Sequence, residues 1–391
     1  MVPDTEVVMI TRNSSMYDKW ILIVIASASI IVVGVWPLFV GVLAGQFQLD
    51  VAQQGWVISV ESFGMVAGTA ITPWLSRRVS PRGLLWGTLA LALVMNIITA
   101  HSPSVNALML MRFVAGLAAG LCYSVAVYHL ARMSDVDRAF GMLLALQTVI
   151  FCGHAVAFPH IAESYGPEVA TYSVAAWYVF MLVLSLGVSQ LSFKKADAPP
   201  VAGSNGGNGP AYLALLGMGF LQLAIFALWG FIGTIGAQRG ITEAEIGMAF
   251  GIGLLGGLPG AAIAGFFGTR LGRRLMISAG ALVVLLAVAA IASGPESVTM
   301  LTIWIFILNF GWMLALSFYM GLIAASDTRG VATSLIGLVQ IVGATLAPTA
   351  VALFTSEDNL QPIFILSCTS ALIAAALPQL VSKRARAVQS V

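Results

Sequence analysis

The stretch from Asp50 to Arg82, DVAQQGWVISVESFGMVAGTAITPWLSRRVSPR, decides how this chain is read. It opens on a polar turn, runs through a Gly-rich apolar segment holding Glu61, and closes on a basic loop with Arg77, Arg78 and Arg82. A gapless shift of 192 positions finds a second copy. Gly55 falls on Gly247, Gly64 on Gly256, Gly68 on Gly260, Ala70 on Ala262, Ile71 on Ile263, Arg78 on Arg270 and Arg82 on Arg274. Glycines and arginines keep register because backbone approach and charge fix those types. The chain therefore reads as two related halves of roughly 190 residues, a period that outranks any local motif. In a membrane, paired halves suit a protein whose halves rock about a central site.

Composition sets the environment. The 391 residues are 59% hydrophobic and only 9% charged, with a mean hydropathy of +0.96, against roughly 25% charge in a soluble domain. A spanning helix needs about 20 apolar residues. Twelve such runs are cut out by polar turns, at roughly 20–46, 55–76, 84–100, 105–130, 139–159, 170–192, 211–237, 246–267, 275–292, 298–324, 330–351 and 361–381. The fold class is thus an all-α polytopic membrane protein of two six-helix bundles, 20–192 and 211–381. A tail over 1–19, a linker over 193–210 and a tail over 382–391 complete it. The first apolar run is too long for a signal-peptide core and is read as an uncleaved span. Cys122, Cys152 and Cys368 all fall inside spans, which argues against a disulfide framework.

Lysine and arginine set the orientation. With both termini cytoplasmic, sixteen of the eighteen basic residues fall on the inner side; Arg239 lies outside and Arg112 within the membrane. The linker KKADAPPVAGSNGGNGP, 194–210, is flexible by composition. No lysine follows a glycine, so a GxxxxGK[ST] phosphate loop is absent and ATP does not drive the protein directly. HExxH, G-x-S-x-G and paired intramembrane carboxylates are also missing, so no enzyme is expected. Basic residues spread along the membrane face argue against nucleic acid. No cofactor or metal site is read.

The loop Phe267-Gly268-Thr269-Arg270-Leu271-Gly272-Arg273-Arg274 resembles the G-x-x-x-D-R-x-G-R-R loop between spans 8 and 9 of the major facilitator superfamily. LSRRVSPR, 75–82, is a worn copy between spans 2 and 3, and Arg112 to Gly116 is similar to that family's R-x-x-x-G pattern in span 4. The resemblance implies twelve spans, alternating access, and a cavity lined by spans 1, 4, 7 and 10. It also makes Arg77, Arg78, Arg82, Thr269, Arg270, Gly272, Arg273 and Arg274 inner-gate loop residues. The family's acidic loop residue is Arg77 in one copy and Thr269 in the other. Its gate latch is therefore not carried over, and the arginines are left to pair with carboxylates or lipid phosphates. FCGHAVAFP, 151–159, lacks the G-P-x-x-G-G pattern of drug–proton antiporters.

Ionisable groups inside a membrane are costly and mark function by default. Glu61 and Arg112 both sit roughly 10 Å below the outer surface at 1.5 Å per residue, at matching depth with opposite charge. They are expected to face the cavity and couple protons, Glu61 ionised beside Arg112 and protonated when an anionic substrate takes the arginine. His154 is a possible relay, although a lone histidine on an apolar helix is more often structural. Trp36, Tyr123, Gln222, Trp229, Asn309 and Trp312 are the candidates for touching solute. Glycines spaced by four residues in spans 2, 4 and 8 allow close helix approach; Pro37, Pro159, Pro259 and Pro348 are expected to kink their spans.

These observations together predict a secondary transporter of a small organic solute, an organic anion or monocarboxylate first, by proton symport. Efflux of amphipathic compounds and a transporter-like sensor are the alternatives. The expected setting is a bacterial inner membrane, with the solute, protons and lipid as partners of a monomer.

Overall fold

The computed structural model describes residues 5–130, 136–188, 209–294, 297–327, 332, 335–356 and 359–381. Among these the backbone is nearly all helix; the nearest thing to a strand is an isolated bridge between Ser356 and Asn359. That is what lipid demands, since a helix satisfies its peptide groups internally. Among the described residues eleven helices are long and apolar enough to cross a membrane. The twelfth, span 2 (Val51–Leu75), has the length at 25 residues but is diluted by Gln53, Gln54 and Glu61.

In chain order, span 1 is Thr5–Ser29 with Ile31–Phe47, span 3 Pro81–Thr99, span 4 Val105–Leu130, span 5 Val136–Tyr165 and span 6 Pro167–Ser185. Span 7 is Gly209–Trp229 with Ile232–Gln238, span 8 Glu243–Leu254 with Gly257–Phe267, and span 9 Arg273–Ala292. Span 10 is Val298–Ser326, span 11 Ile336–Phe354 and span 12 Gln361–Leu380.

Helix starts carry the repeat into three dimensions. Before span 2, Gln53 N–H donates to the Asp50 carboxylate at 2.7 Å and Asp50 N–H to the Gln53 amide oxygen at 3.1 Å. Before span 8, Glu245 N–H donates to Thr242 Oγ1 at 3.3 Å and Thr242 N–H to Glu245 Oε2 at 2.9 Å. Both are reciprocal caps that satisfy the first orphan donors, and they lie 192 positions apart. Of the four prolines expected to kink, Pro259 stands just past a break. Around it the N–H groups of Leu255, Gly256 and Leu258 each bond three residues back, at 3.1 Å. Pro259 itself lacks the N–H that would reach Leu255, and its ring crowds that carbonyl. Pro37, Pro159 and Pro348 lie inside unbroken helices.

Packing divides the chain into two compact units. The first comprises Met1–Val35, Val60–His154 and His160–Lys195; the second comprises Trp36–Ser59, Ala155–Pro159 and Ala196–Val391. The later part of span 1, the start of span 2 and a short piece of span 5 thus belong with the second unit. Most of the 193–210 linker and the 382–391 tail lie outside the described residues.

Glycine seams hold a matching helix pair in each unit. In the first, a Cβ on Gly64 or Gly68 would overlap the carbonyl of Phe113 or Leu117, and one on Gly116 or Gly120 the carbonyl of Glu61 or Met65. In the second, a Cβ on Gly256 or Gly260 would overlap the carbonyl of Phe306 or Phe310. Spans 2 and 4, and spans 8 and 10, thus touch backbone to backbone. The partner helix is offset by 193 positions rather than 192, so one residue has been gained between the paired helices. Arg112 therefore corresponds to Ile305, not to Trp304 as the gapless shift implies.

Candidate functional site

The seam decides where the first unit's charges go. With Gly116 against the Glu61 carbonyl, spans 2 and 4 are so close that the Glu61 and Arg112 side chains meet. Arg112 Nη2 donates to Glu61 Oε1, and Arg112 Nε to Glu61 Oε2 at 3.3 Å, a two-pronged pair. The remaining arm, Nη1, donates to Asn96 Oδ1 at 2.9 Å and to Thr99 Oγ1 at 3.4 Å on span 3. Arg112 is 0% exposed and Glu61 3%. Composition and depth foresaw the pair; Asn96 and Thr99 went unseen, since a lone amide and hydroxyl in an apolar run can bond their own helix. Both do so, Asn96 to Ala92 O at 2.8 Å and Thr99 to Met95 O at 2.7 Å.

Corresponding positions in the second unit are apolar. Gly253 stands where Glu61 would be, and a Cβ there would press on the side chain of Ile305, the counterpart of Arg112. At these two positions only the first member of the repeat carries charge.

The second unit assembles aromatics instead. Trp36 meets Phe226 edge-on at 6.1 Å between centroids, Phe226 meets Trp312 at 5.7 Å, Trp312 meets Trp229 at 6.2 Å, and Trp229 meets Phe250 at 5.0 Å. Each such pair contributes about 0.5–1.5 kcal/mol beyond its area. Trp312 Nε1 donates to Gln222 Oε1 at 2.8 Å, which fixes the orientation of the amide. Trp36, Gln222 and Trp229 are buried, while Trp312 is half-buried. Four of the six expected cavity residues thus form one cluster, joined by Phe226 and Phe250, which sequence reading did not single out. Asn309 is buried and donates to Ile305 O of its own helix at 2.9 Å. Tyr123 is half-buried on span 4 in the first unit.

His154, the possible relay, is buried and accepts from Trp177 Nε1 at 3.3 Å through Nδ1. A cavity of about 170 Å³ lies within the second unit, with Pro37, Gln54, Phe158, Thr234 and Glu243 among its walls. Thr234 Oγ1 donates to Gln54 Oε1 there at 2.8 Å. At the loops, Arg77, Arg78, Arg82 and Arg270 are exposed and Arg273 and Arg274 half-buried. Arg82 Nη2 caps the carbonyl of Val188, and Gly272 takes φ +79° to turn into span 9. The side chain of Thr269 lies outside the described residues.

The family model of the Major Facilitator Superfamily matches residues 21–210 and 214–390. The chain belongs to the major facilitator superfamily. Among curated proteins it is similar to a protein TsgA homolog of Erwinia tasmaniensis, 28% identical over 202 residues, covering 49% of this chain and 50% of that one. It also resembles the galactose-proton symporter of Escherichia coli, 27% identical over 147 residues, or 36% of this chain and 30% of the symporter. The matches thus span half or less of these relatives. Solved structures share the fold across the molecule. The nucleoside transporter NupG superposes with a TM-score of 0.69 at 15% identity, over 93% of this chain and 98% of that one. A bacterial homolog of the human lysosomal transporter Spinster, inward-facing and unoccupied, gives 0.68 at 14% identity over 94% and 95%. The family and these neighbours are transporters rather than enzymes.

Proposed function

We propose that this chain is a secondary transporter that takes up a small, neutral, polar solute together with protons by alternating access, across a bacterial inner membrane with both termini cytoplasmic. The observation that carries the reading is the fully buried Glu61–Arg112 pair, placed in a twelve-span chain of this superfamily. A buried ion pair is a poor stabiliser, and intramembrane ionisable groups mark ion pathways. Glu61 is the proton carrier. Asn96 and Thr99 keep one arm of Arg112 bonded, so the guanidinium stays in place when Glu61 takes up a proton and loosens its own arm.

The organic anion expected from sequence required an arginine on offer to a substrate carboxylate. Arg112 is wholly buried and committed to Glu61, Asn96 and Thr99, so that basis is lost. Aromatic faces and the Gln222 amide suit a solute bearing hydroxyls or carbonyls, with Trp36, Trp229 and Trp312 as its apolar walls. The galactose-proton and arabinose-proton symporters of Escherichia coli among its relatives support the same solute class and its movement together with protons.

The test is uptake of labelled monosaccharides and nucleosides into cells or proteoliposomes under an imposed proton gradient. Accumulation that collapses with an uncoupler supports the reading. Accumulation of carboxylates alone would overturn the substrate class, and export would overturn the direction.

A further inference from the structure

One of the loop arginines stands against an exposed aromatic ring. Trp74 lies in the last turn of span 2 and is 54% exposed. The chain does not stop turning at Leu75: Arg77 N–H bonds Trp74 O at 3.3 Å, and Arg78 N–H bonds Leu75 O at 3.0 Å. This extra turn brings residues four apart onto one face, and the Arg78 guanidinium lies 4.1 Å from the centroid of the Trp74 ring. Arg77 and Arg78 are both exposed, and among the described residues no carboxylate forms an ion pair with either. The repeat preserves the combination. At 192 positions on, Trp74 becomes Phe266, which is 83% exposed, and Arg78 becomes Arg270, also exposed. An exposed aromatic at a span end is a membrane-interface anchor, which puts a guanidinium held over it at headgroup level.

We propose that Trp74 and Arg78, helped by Arg77, form a binding site for the phosphate of an anionic phospholipid in the leaflet that the arginine loops face. The ring lies among the acyl-chain roots and holds the guanidinium over its face, which spares the arginine much of its freedom. The guanidinium then meets the phosphate in a two-pronged contact that a point charge would not give. Phe266 and Arg270 form the equivalent site of the second unit, a weaker one. There the ring is a phenyl rather than an indole, and an indole face holds a cation best. This proposal stands independently of the solute and of proton coupling.

The experiment is native mass spectrometry of the full-length protein from nanodiscs of phosphatidylglycerol and phosphatidylcholine, scoring lipid retained at rising collision energy. Trp74→Leu, Arg78→Gln, Arg78→Lys and Phe266→Leu are compared with wild type. All three positions are at the surface, and monodispersity reports folding. Retained phosphatidylglycerol is expected to exceed phosphatidylcholine, and to fall roughly two- to fivefold in Arg78→Gln and in Trp74→Leu. Arg78→Lys should fall nearly as far, and Phe266→Leu less. Trp74→Leu leaves the charge untouched, so unchanged retention in that variant would overturn the site in favour of a diffuse basic surface. Equal retention of the two lipids would also overturn it. Inorganic phosphate displacing the lipid at millimolar concentration would mean a free-anion site and would overturn the lipid assignment.

Discussion

At Arg112 the physics is an accounting of donors. A guanidinium has five N–H groups, and here four hydrogen bonds tie it to Glu61, Asn96 and Thr99 with no exposure to water. Removing one partner leaves a buried charge alone, a loss of about 3–5 kcal/mol. We expect both Arg112→Met and Glu61→Gln to lower the thermal midpoint in detergent strongly, because each leaves the other member of the pair buried without its partner. The double variant should be more stable than Arg112→Met alone, and thermal unfolding by intrinsic tryptophan fluorescence checks the order. At Trp312, replacement by Phe keeps the ring contacts with Phe226 and Trp229 but removes the bond to Gln222. Freed of that partner, the amide no longer has a fixed orientation, so KM for solute should rise several-fold with little change in kcat, measured by initial-rate uptake. Glu61 and Arg112 were legible because charge is rare in this chain and their depths match. Asn96, Thr99 and Phe226 were not, because an amide, a hydroxyl or a ring in an apolar span looks the same whether it serves a neighbour or its own helix.

Helices in this protein approach by what their glycines lack. On span 4 a side chain at Gly116 would strike the Glu61 carbonyl, and so would separate the helices that present Glu61 and Arg112 to each other. Gly116→Ala should therefore cost about 1–3 kcal/mol or more, the range for overpacking, and impair transport. Gly87 on span 3 has nothing within 4 Å of its missing Cβ. Gly87→Ala should be neutral or stabilising by up to about 1 kcal/mol through helix propensity, and the two thermal midpoints compared side by side decide it. The second unit repeats the seam at Gly256 and Gly260 while replacing the ion pair with Gly253 against Ile305. A gapless shift along the sequence found the glycines but put Trp304 opposite Arg112. Only backbone contact reveals that the partner helix is offset by one more residue, because a single insertion leaves no trace in an apolar run. Capping pairs were equally legible as polar turns, yet their reciprocal bonding at Asp50–Gln53 and Thr242–Glu245 needed the geometry.

For the whole molecule, hydropathy, the repeat and the basic loops were enough to give a membrane protein of twelve spans and its superfamily, since each is a long-range average over many residues. The solute was not legible, because its contacts are a handful of side chains whose directions depend on packing. The account's central claim is that Glu61 links solute movement to protons. Its most direct test is proton flux in proteoliposomes enclosing a pH-sensitive dye, challenged in turn with sugars, nucleosides, carboxylates, amines and drug-like cations, for wild type and Glu61→Gln. The account predicts acidification of the lumen when a neutral polar solute enters through wild type. It predicts no acidification with Glu61→Gln, whose downhill solute exchange persists. Equal proton flux in the two proteins, or solute entry through wild type without any proton movement, would contradict it.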